Sequence, residues 1–276
     1  MENIYAERIA ALRQMMASKG WDAVVVSGSD PHASEYTSPR WKQVEWLTGF
    51  TGEAGDVVIT LDHAGLWTDS RYFIQAEEQL KDTGIRLFME RLPETPSIAT
   101  WLAHVLKQGD TIGIDGWVNS HQEASSLQQV LVQNGLKLKV MTSDIFDSIW
   151  ENRPSLPQGA IFILNSEYTG ASCSEKLNQI QKAIAQNGAS AIILSALDEI
   201  AWTLNLRGKD VHCNPVFISY LLISVEGYTL YIPIYNDPNT GIDETEDNPV
   251  WEVDENGEFV FGPLCANKFY EIQIPF

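Results

Sequence analysis

Arg71 lies between a strand-like run and a helix-like one in LWTDSRYFIQAEEQL, residues 66–80, with Asp69 just before it and Tyr72 and Phe73 just after. A guanidinium in that place has two uses. It pairs with Asp69 at a solvated strand end, or it reaches a ligand, because it stays charged and offers planar, multi-donor contacts to a carbonyl or carboxylate. The other reactive side chains form weaker patterns. Asp198 and Glu199 in ALDEIAW are adjacent and so point apart, which favours capping of a helix that begins near Ile200 over an acid–base pair. His212-Cys213 has no second ligand pair near it in sequence, so packing in a loop is favoured over a metal or thiol site. GFTGEAG, with Gly49, Gly52 and Gly55, precedes a strand, where a dinucleotide-binding turn must precede a helix. The histidines, His32, His63, His104, His121 and His212, are scattered, and no HExxH occurs.

Charge narrows the partners further. The chain has 276 residues with 18 Lys+Arg against 37 Asp+Glu, a formal net charge of −19, so its far field repels phosphate backbones and anionic lipid. Neither nucleic acid nor membrane is an expected partner. Cys173, Cys213 and Cys265 are far apart and odd in number, which argues against a disulfide framework and for a reducing compartment. The amphipathic N-terminus MENIYAERIAALRQMMASKG has no signal-peptide apolar block, and no stretch reaches the ~18 apolar residues of a membrane span. A cytoplasmic protein is the expectation.

The elements that must carry Arg71 read as α/β. Ile9, Leu12, Met15 and Met16 form a helical stripe closed by Gly20, and DAVVVS follows as a buried strand. VVIT and AGLWTD form a hairpin around Asp62. WLAHVLKQG, TIGIDG, SSLQQVLVQNG and LKLKVM then read as helix, strand, helix and strand, until Pro154 and Pro157 break the pattern. With 44% hydrophobic residues there is material for two cores of roughly 120 to 150 residues each.

Beyond the break the order restarts. KLNQIQKAIAQNG, ASAIILS, IAWTLNLRG and the hairpin FISYLLISV-EG-YTLYI repeat the first series, including the Gly after the helix and a bulky Trp-containing segment before a loop. Trp46 is expected to be buried and to match Trp202, while Trp41 is either core or interface. An internal duplication of domain size results. The second copy is incomplete: residues 237–258 carry nine acidic groups and no Lys or Arg, a solvated-loop composition. Within it VWEVDENGEFVF alternates around Asn256-Gly257, a hairpin signal. That hairpin, with Trp251, Val253, Phe259 and Phe261 facing the sheet, and YEIQIPF are expected to cover part of the gap left by the missing strand and helix, with 237–248 as loop.

TDSRYF, DSIWENRPSLP and above all ALDEIAWTLNLRGKDVHCNPVFISY resemble the three-domain, cytosolic Xaa-Pro aminopeptidases (aminopeptidase P), whose first two domains are creatinase-like N-terminal domains. The resemblance covers roughly residues 5 to 232. It implies two duplicated creatinase/prolidase N-terminal-like domains, each a mixed β-sheet flanked by helices: 1–152, a partial second domain over 153–232, and a divergent acidic tail over 233–276. It also implies a role for Arg71, since TDSRYF matches the family's TDGRYF motif, whose arginine projects to the substrate cleft. Ser70 replaces the motif's glycine, which would be costly if that position needs positive φ. Asn205, Arg207 and Asp210 fall in the family string NLRGKD and read as a hydrogen-bonded loop at a domain seam.

In the family a third, pita-bread domain holds two divalent metal ions, manganese or zinc, between two Asp, one His and two Glu. They activate the water that releases the residue before a proline. None of that ligand pattern is found in this sequence. The function implied is the substrate-gating and assembly portion of a metal-dependent homo-oligomeric enzyme acting on peptides with a penultimate proline, inactive alone. A non-catalytic creatinase-like module that binds peptides or basic proteins is the other reading, which a charge of −19 suits.

Overall fold

The computed structural model describes residues 4–234, apart from Ser143 and Gln158, together with the backbone of three later strands. The chain divides into two compact units, Met1–Pro154 and Ser155–Phe276. In the first, α1 (Ile4–Lys19), β1 (Ala23–Val26), α2 (Gln43–Thr48), β2 (Asp56–Thr60), β3 (Ala64–Thr68), α3 (Phe73–Gln79), β4 (Arg86–Met89), α4 (Ile98–Val105), β5 (Thr111–Asp115), α5 (His121–Gln133) and β6 (Lys137–Met141) follow one another. They build a six-stranded mixed sheet in the order β4-β3-β2-β1-β5-β6. β1 is central, antiparallel to β2 and parallel to β5. All four of its side chains are therefore buried, which is why it reads as a continuous apolar run without alternation.

Two apolar layers cover this sheet. Ile9, Leu12, Met15 and Met16 of α1 pack with Val24, Val26 and Ile59 on one face. Trp101 and Leu102 of α4 and Leu131 of α5 pack with Val25, Val58 and Trp67 on the other. Each fully buried Val or Leu contributes about 1.5–3 kcal/mol relative to exposure. The segment before Pro154 returns onto the first layer. Arg153 ion-pairs with Asp144 and Asp147 and stacks over Trp41, Phe146 and Trp150, while Trp150 stacks on Trp46.

The second unit contains β7 (Phe162–Ile163), α6 (Ser166–Thr169), α7 (Cys173–Gln186), β8 (Ala191–Leu194), α8 (Leu197–Leu204), β9 (Leu206–Arg207), β10 (Tyr220–Ser224), β11 (Tyr228–Ile234), β12 (Trp251–Val253), β13 (Phe259–Phe261) and β14 (Lys268–Ile272). Its main sheet runs β14-β11-β10-β8, antiparallel at each pairing. The duplication holds down to register. Ala23–Thr60 through Val26–Val57 in β1–β2 correspond to Ala191–Ser224 through Leu194–Leu221 in β8–β10. Asp56–Trp67 in β2–β3 corresponds to Tyr220–Tyr231 in β10–β11.

Individual side-chain contacts repeat as well. Arg8 donates to the Trp46 carbonyl and lies 4.8 Å from that ring, and Lys176 donates to the Trp202 carbonyl at 2.7 Å, 4.3 Å from that ring. α2 ends on Gly49 at φ +78° and α8 on Asn205 at φ +56°, both left-handed C-caps. Arg13 bonds the Thr60 carbonyl as Gln181 bonds that of Ser224.

Several expectations change. The tail strand β14 adds to β11, the edge that β4 takes in the first unit, so it does not cover the gap beside β8. β8 pairs only with β10 among the described residues, and Ile193 is 69% exposed. β12 and β13 do pair antiparallel, Trp251 with Phe261 and Val253 with Phe259. Their side chains, the turn at Asn256-Gly257 and residues 237–248 lie outside the described residues. Trp46 is half-buried and its equivalent Trp202 is 53% exposed, because nothing corresponding to the Trp150 stack covers Trp202 among the described residues. β4 gives no sequence signal, since four residues starting at an exposed Arg86 show no alternation.

Candidate functional site

Arg71 stands in a turn that leaves the carboxyl end of β3. Thr68 anchors that end by donating its hydroxyl to the Ala54 carbonyl at 2.6 Å. Asp69 then organises the turn: its Oδ1 accepts the Arg71 backbone N–H at 2.9 Å and its carbonyl accepts the Tyr72 N–H at 3.0 Å. This side-chain-to-backbone pattern is the reason Asp suits a turn start. The same carboxylate grips the guanidinium, Nε at 3.0 Å and Nη2 at 2.7 Å. Ser70 is not among the non-glycine residues with positive φ, so serine costs no backbone strain where the motif has glycine.

The guanidinium is held on one edge only. Nη1 makes no hydrogen bond among the described residues, and the Arg71 side chain is 63% exposed. Phe73 is half-buried by comparison. The Arg71 Cζ lies 5.2 Å from the Tyr72 ring centre, and that ring meets Phe50 edge-on at 5.9 Å. A charged fork is thus fixed at its base and open at its tip. Hydrogen bonding to Arg71 holds the Asp69 carboxyl below its ordinary range, and the same bond raises the arginine.

Two carboxyls that sequence reasoning missed share this end of the sheet. Asp56, at the start of β2, accepts the Gly28 N–H at 3.1 Å, yet burial pushes its carboxyl up. Gly28 is required there, since a Cβ would fall 2.4 Å from the Gly55 carbonyl oxygen. Glu90, just past β4, donates its N–H to Thr68 and is raised by burial and then by the charge of Asp56. No sequence signal marks either one, because the shift comes from enclosure by neighbouring strands. Among the described residues no group of three or more His, Cys, Asp and Glu is gathered as a metal site. The described residues therefore gather no ligand set for a dinuclear centre.

The second unit does not repeat this site. Tyr220 takes the place of Asp56 in the shared register, and Pro233 follows Tyr231 as Asp69 follows Trp67. The remaining candidates lie in the second unit. Asp198 and Glu199 are exposed in the first turn of α8, which begins at Leu197, before the expected Ile200, with Ala196 as N-cap, so neither is the cap. Their charge still complements the helix N-terminus. His212 and Cys213 are exposed in a turn and do not pack. Asn205, Arg207 and Asp210 do form a hydrogen-bonded loop. Asn205 bonds Ala171 and Lys176, Arg207 bonds the Ala201 carbonyl, and Asp210 accepts from Gly159 and Ile218. No helix among the described residues is long and apolar enough to cross a membrane.

The chain is similar to known proteins in sequence and fold. A creatinase/prolidase N-terminal domain model matches residues 8–147, and a second model of the same description matches 152–247. A probable Xaa-Pro aminopeptidase P of Sordaria macrospora is 40% identical over 228 residues, which are 82% of this chain and 37% of that protein. Xaa-Pro aminopeptidase 1 of Dictyostelium discoideum is 36% identical over 235 residues, again 82% and 37%. Among solved structures, the X-prolyl aminopeptidase of Caenorhabditis elegans, described as a cytosolic enzyme with a di-nuclear active site, superposes with a TM-score of 0.78 at 30% identity. That match covers 87% of this chain and 40% of the other. The chain therefore spans well under half the length of these relatives. With two successive matches over one duplicated fold, the chain belongs to the creatinase/prolidase N-terminal domain family, in the form found at the start of Xaa-Pro aminopeptidases.

Proposed function

We propose that this chain supplies the substrate-gating and assembly portion of a metal-dependent Xaa-Pro aminopeptidase, with Arg71 as a substrate-binding residue. The observation that carries the reading is the half-satisfied guanidinium: Asp69 fixes the Nε–Nη2 edge of a side chain that is 63% exposed, and Nη1 has no hydrogen bond among the described residues. Such a fork suits a peptide carbonyl or carboxylate held by another domain. The complete enzyme would release the N-terminal residue from peptides with a penultimate proline, using two divalent ions held outside this chain. Manganese or zinc suits the family's carboxylate and imidazole ligands. Assembly as a homo-oligomer and a cytoplasmic location belong to the same proposal, the latter supported by the relative described as cytosolic.

A graft tests it. Put in place of the matching N-terminal part of the Dictyostelium relative, this chain should support turnover of an Xaa-Pro peptide. Arg71→Ala in the graft should lower kcat/KM by about 10- to 100-fold, as loss of a positioning contact does. Equal activity with and without Arg71 would sink the substrate role. The chain alone with manganese should give no turnover. The second reading, a module for basic partners, is favoured by the net charge of −19. Salt-sensitive binding of a basic peptide by the chain alone, beside an inactive graft, would select it.

A further inference from the structure

The two units carry grooves of nearly equal size at equivalent places, and their charges are opposite. In the first unit a groove of about 540 Å³ lies at the amino end of β3 and β4, the end of the sheet opposite Arg71. It is bounded by α1, the β2–β3 turn and α4, and lined by Arg13, Arg86, His63, His104, Asp62 and Trp101, among others. In the second unit the corresponding groove of about 510 Å³ lies between α7 and the β10–β11 turn. There Gln181 stands for Arg13 and Gly227 for His63, and Glu226 is the single charged lining residue among those described. Arg13 and His63 stand on elements that the two units share, so geometry alone does not call for them, whereas Arg86 and His104 are carried by β4 and α4, which have no described counterpart in the second unit, where the antiparallel β14 takes the edge of β4. The basic residues also oppose the net charge of the whole chain, −19.

The basic groove is held in shape. Arg13 is clamped to the turn, Nε to the Thr60 carbonyl at 2.8 Å and Nη2 to that of His63 at 3.1 Å. The His63 ring meets Trp101 edge-on at 6.1 Å, and Arg86 lies 4.7 Å over Phe88. Trp67, Phe88 and Trp101 pack on one another as a rigid floor, with Trp67 bonded to the Pro96 carbonyl. Two guanidiniums and two imidazoles offer more donors than one carboxylate can accept, and Asp62 is the single opposing charge among the described lining residues.

We propose that this groove binds a small multivalent oxyanion of the phosphate class, either free phosphate or a phosphomonoester. The equivalent groove of the second unit does not. The site is independent of the aminopeptidase reading, because none of its residues belongs to the Arg71 turn.

Isothermal titration of the whole chain at low ionic strength tests this with inorganic phosphate and with glycerol 3-phosphate. Saturable binding with a Kd below about 1 mM is expected for at least one of them. Arg86→Gln and His104→Gln, both at exposed positions, should together weaken it by about tenfold or more, as loss of charge-assisted donors does. Glu226→Gln in the second groove should change nothing. Tighter binding of the monoester identifies an esterified ligand, and tighter binding of phosphate a free one. No saturable heat up to about ten times that concentration, or equal affinity in the Arg86→Gln/His104→Gln variant, overturns the proposal.

Discussion

β1 and β8 occupy the same place in two copies of one design, and their surroundings differ. β1 is AVVV and β8 is AIIL, each is preceded by a helix closed by a glycine, and each pairs with its hairpin in the same register. Yet Val25 is buried, while Ile193, its equivalent, is 69% exposed. Val25 packs beneath α4 and α5, and β5 pairs with its other edge. Among the described residues β8 has none of these neighbours. Strand sequence therefore sets pairing and register, while burial is decided by elements that come later in the chain. An apolar edge strand left bare is also a template for association.

The largest effect is expected from placing a charge on each of these strands. Val25→Asp buries a carboxylate beneath two helices and should destabilise the first unit by about 3–5 kcal/mol in urea denaturation, enough to unfold a marginal domain. Ile193→Asp should cost under about 1 kcal/mol and reduce self-association in light scattering, as charge on an edge strand does. Similar costs at the two positions would mean that the outer face of β8 is covered.

The two units should also differ in their response to pH. Burial raises Asp115, at the end of β5, to about 6 from 3.8, with the Asp144 charge adding to the shift and the Trp117 N–H and Arg153 opposing it. Between those values the folded state holds a proton that the unfolded state has released. Stability is thus fully present below about pH 4 and lost as pH rises through about 6, by roughly 1–3 kcal/mol after allowance for partial solvation. Asp115→Asn should reduce that slope in the first unit, where Asp56 and Glu90 keep part of it, and leave the second unit's, to which burial of Asp210 contributes in the same direction, unchanged.

An effect of similar size separates the two caps. Gly49 adopts φ +78° with the Tyr5 ring against it, so an added Cβ would lie 2.6 Å from that ring. In the second copy Cys173 takes the place of Tyr5, and Asn205 fills the space and accepts from Lys176 Nζ at 2.5 Å. Gly49→Asn should cost about 1–3 kcal/mol by overpacking. Lys176→Met should cost about 1–3 kcal/mol by leaving the Asn205 and Trp202 oxygens unsatisfied. Gly49→Asn combined with Tyr5→Cys should recover part of the first loss.

How far the sequence discloses these features depends on range. The stripe Ile9, Leu12, Met15 and Met16, the Gly20 stop and the β2–β3 turn depend on neighbours within a few residues, and they were legible. So was the repeat, because its periodic elements recur in order. The burial of Val25 against the exposure of Ile193 was not, since the deciding groups lie some ninety residues further along in the first copy. β14 joining β11 was not either, because YEIQIPF alternates equally well for any edge. At the candidate site Arg71 was legible through its motif. Asp56 and Glu90 were silent, since their raised carboxyls arise from strands that meet only in the fold.

The smallest expected change in stability belongs to the residue with the largest expected role. Arg71 is exposed and Asp69 half-buried at the surface, and pairs open to solvent on one side contribute little to folding because water and salt screen them. Arg71→Ala should therefore leave the urea midpoint of the chain within measurement scatter. Asp69→Asn should do the same while freeing the guanidinium from its bidentate clamp. The two variants then part in the graft: Arg71→Ala removes the donor, whereas Asp69→Asn keeps it and loosens only its aim. Asp69→Asn should accordingly raise KM less than Arg71→Ala, and Arg71→Lys should resemble Ala, because an ammonium cannot reproduce a fork held on one edge. If Arg71→Lys retains full activity, the position needs only charge. If Arg71→Ala shifts the midpoint as far as Gly49→Asn, the pair is part of the fold, and the contrast between the two units at this position is structural.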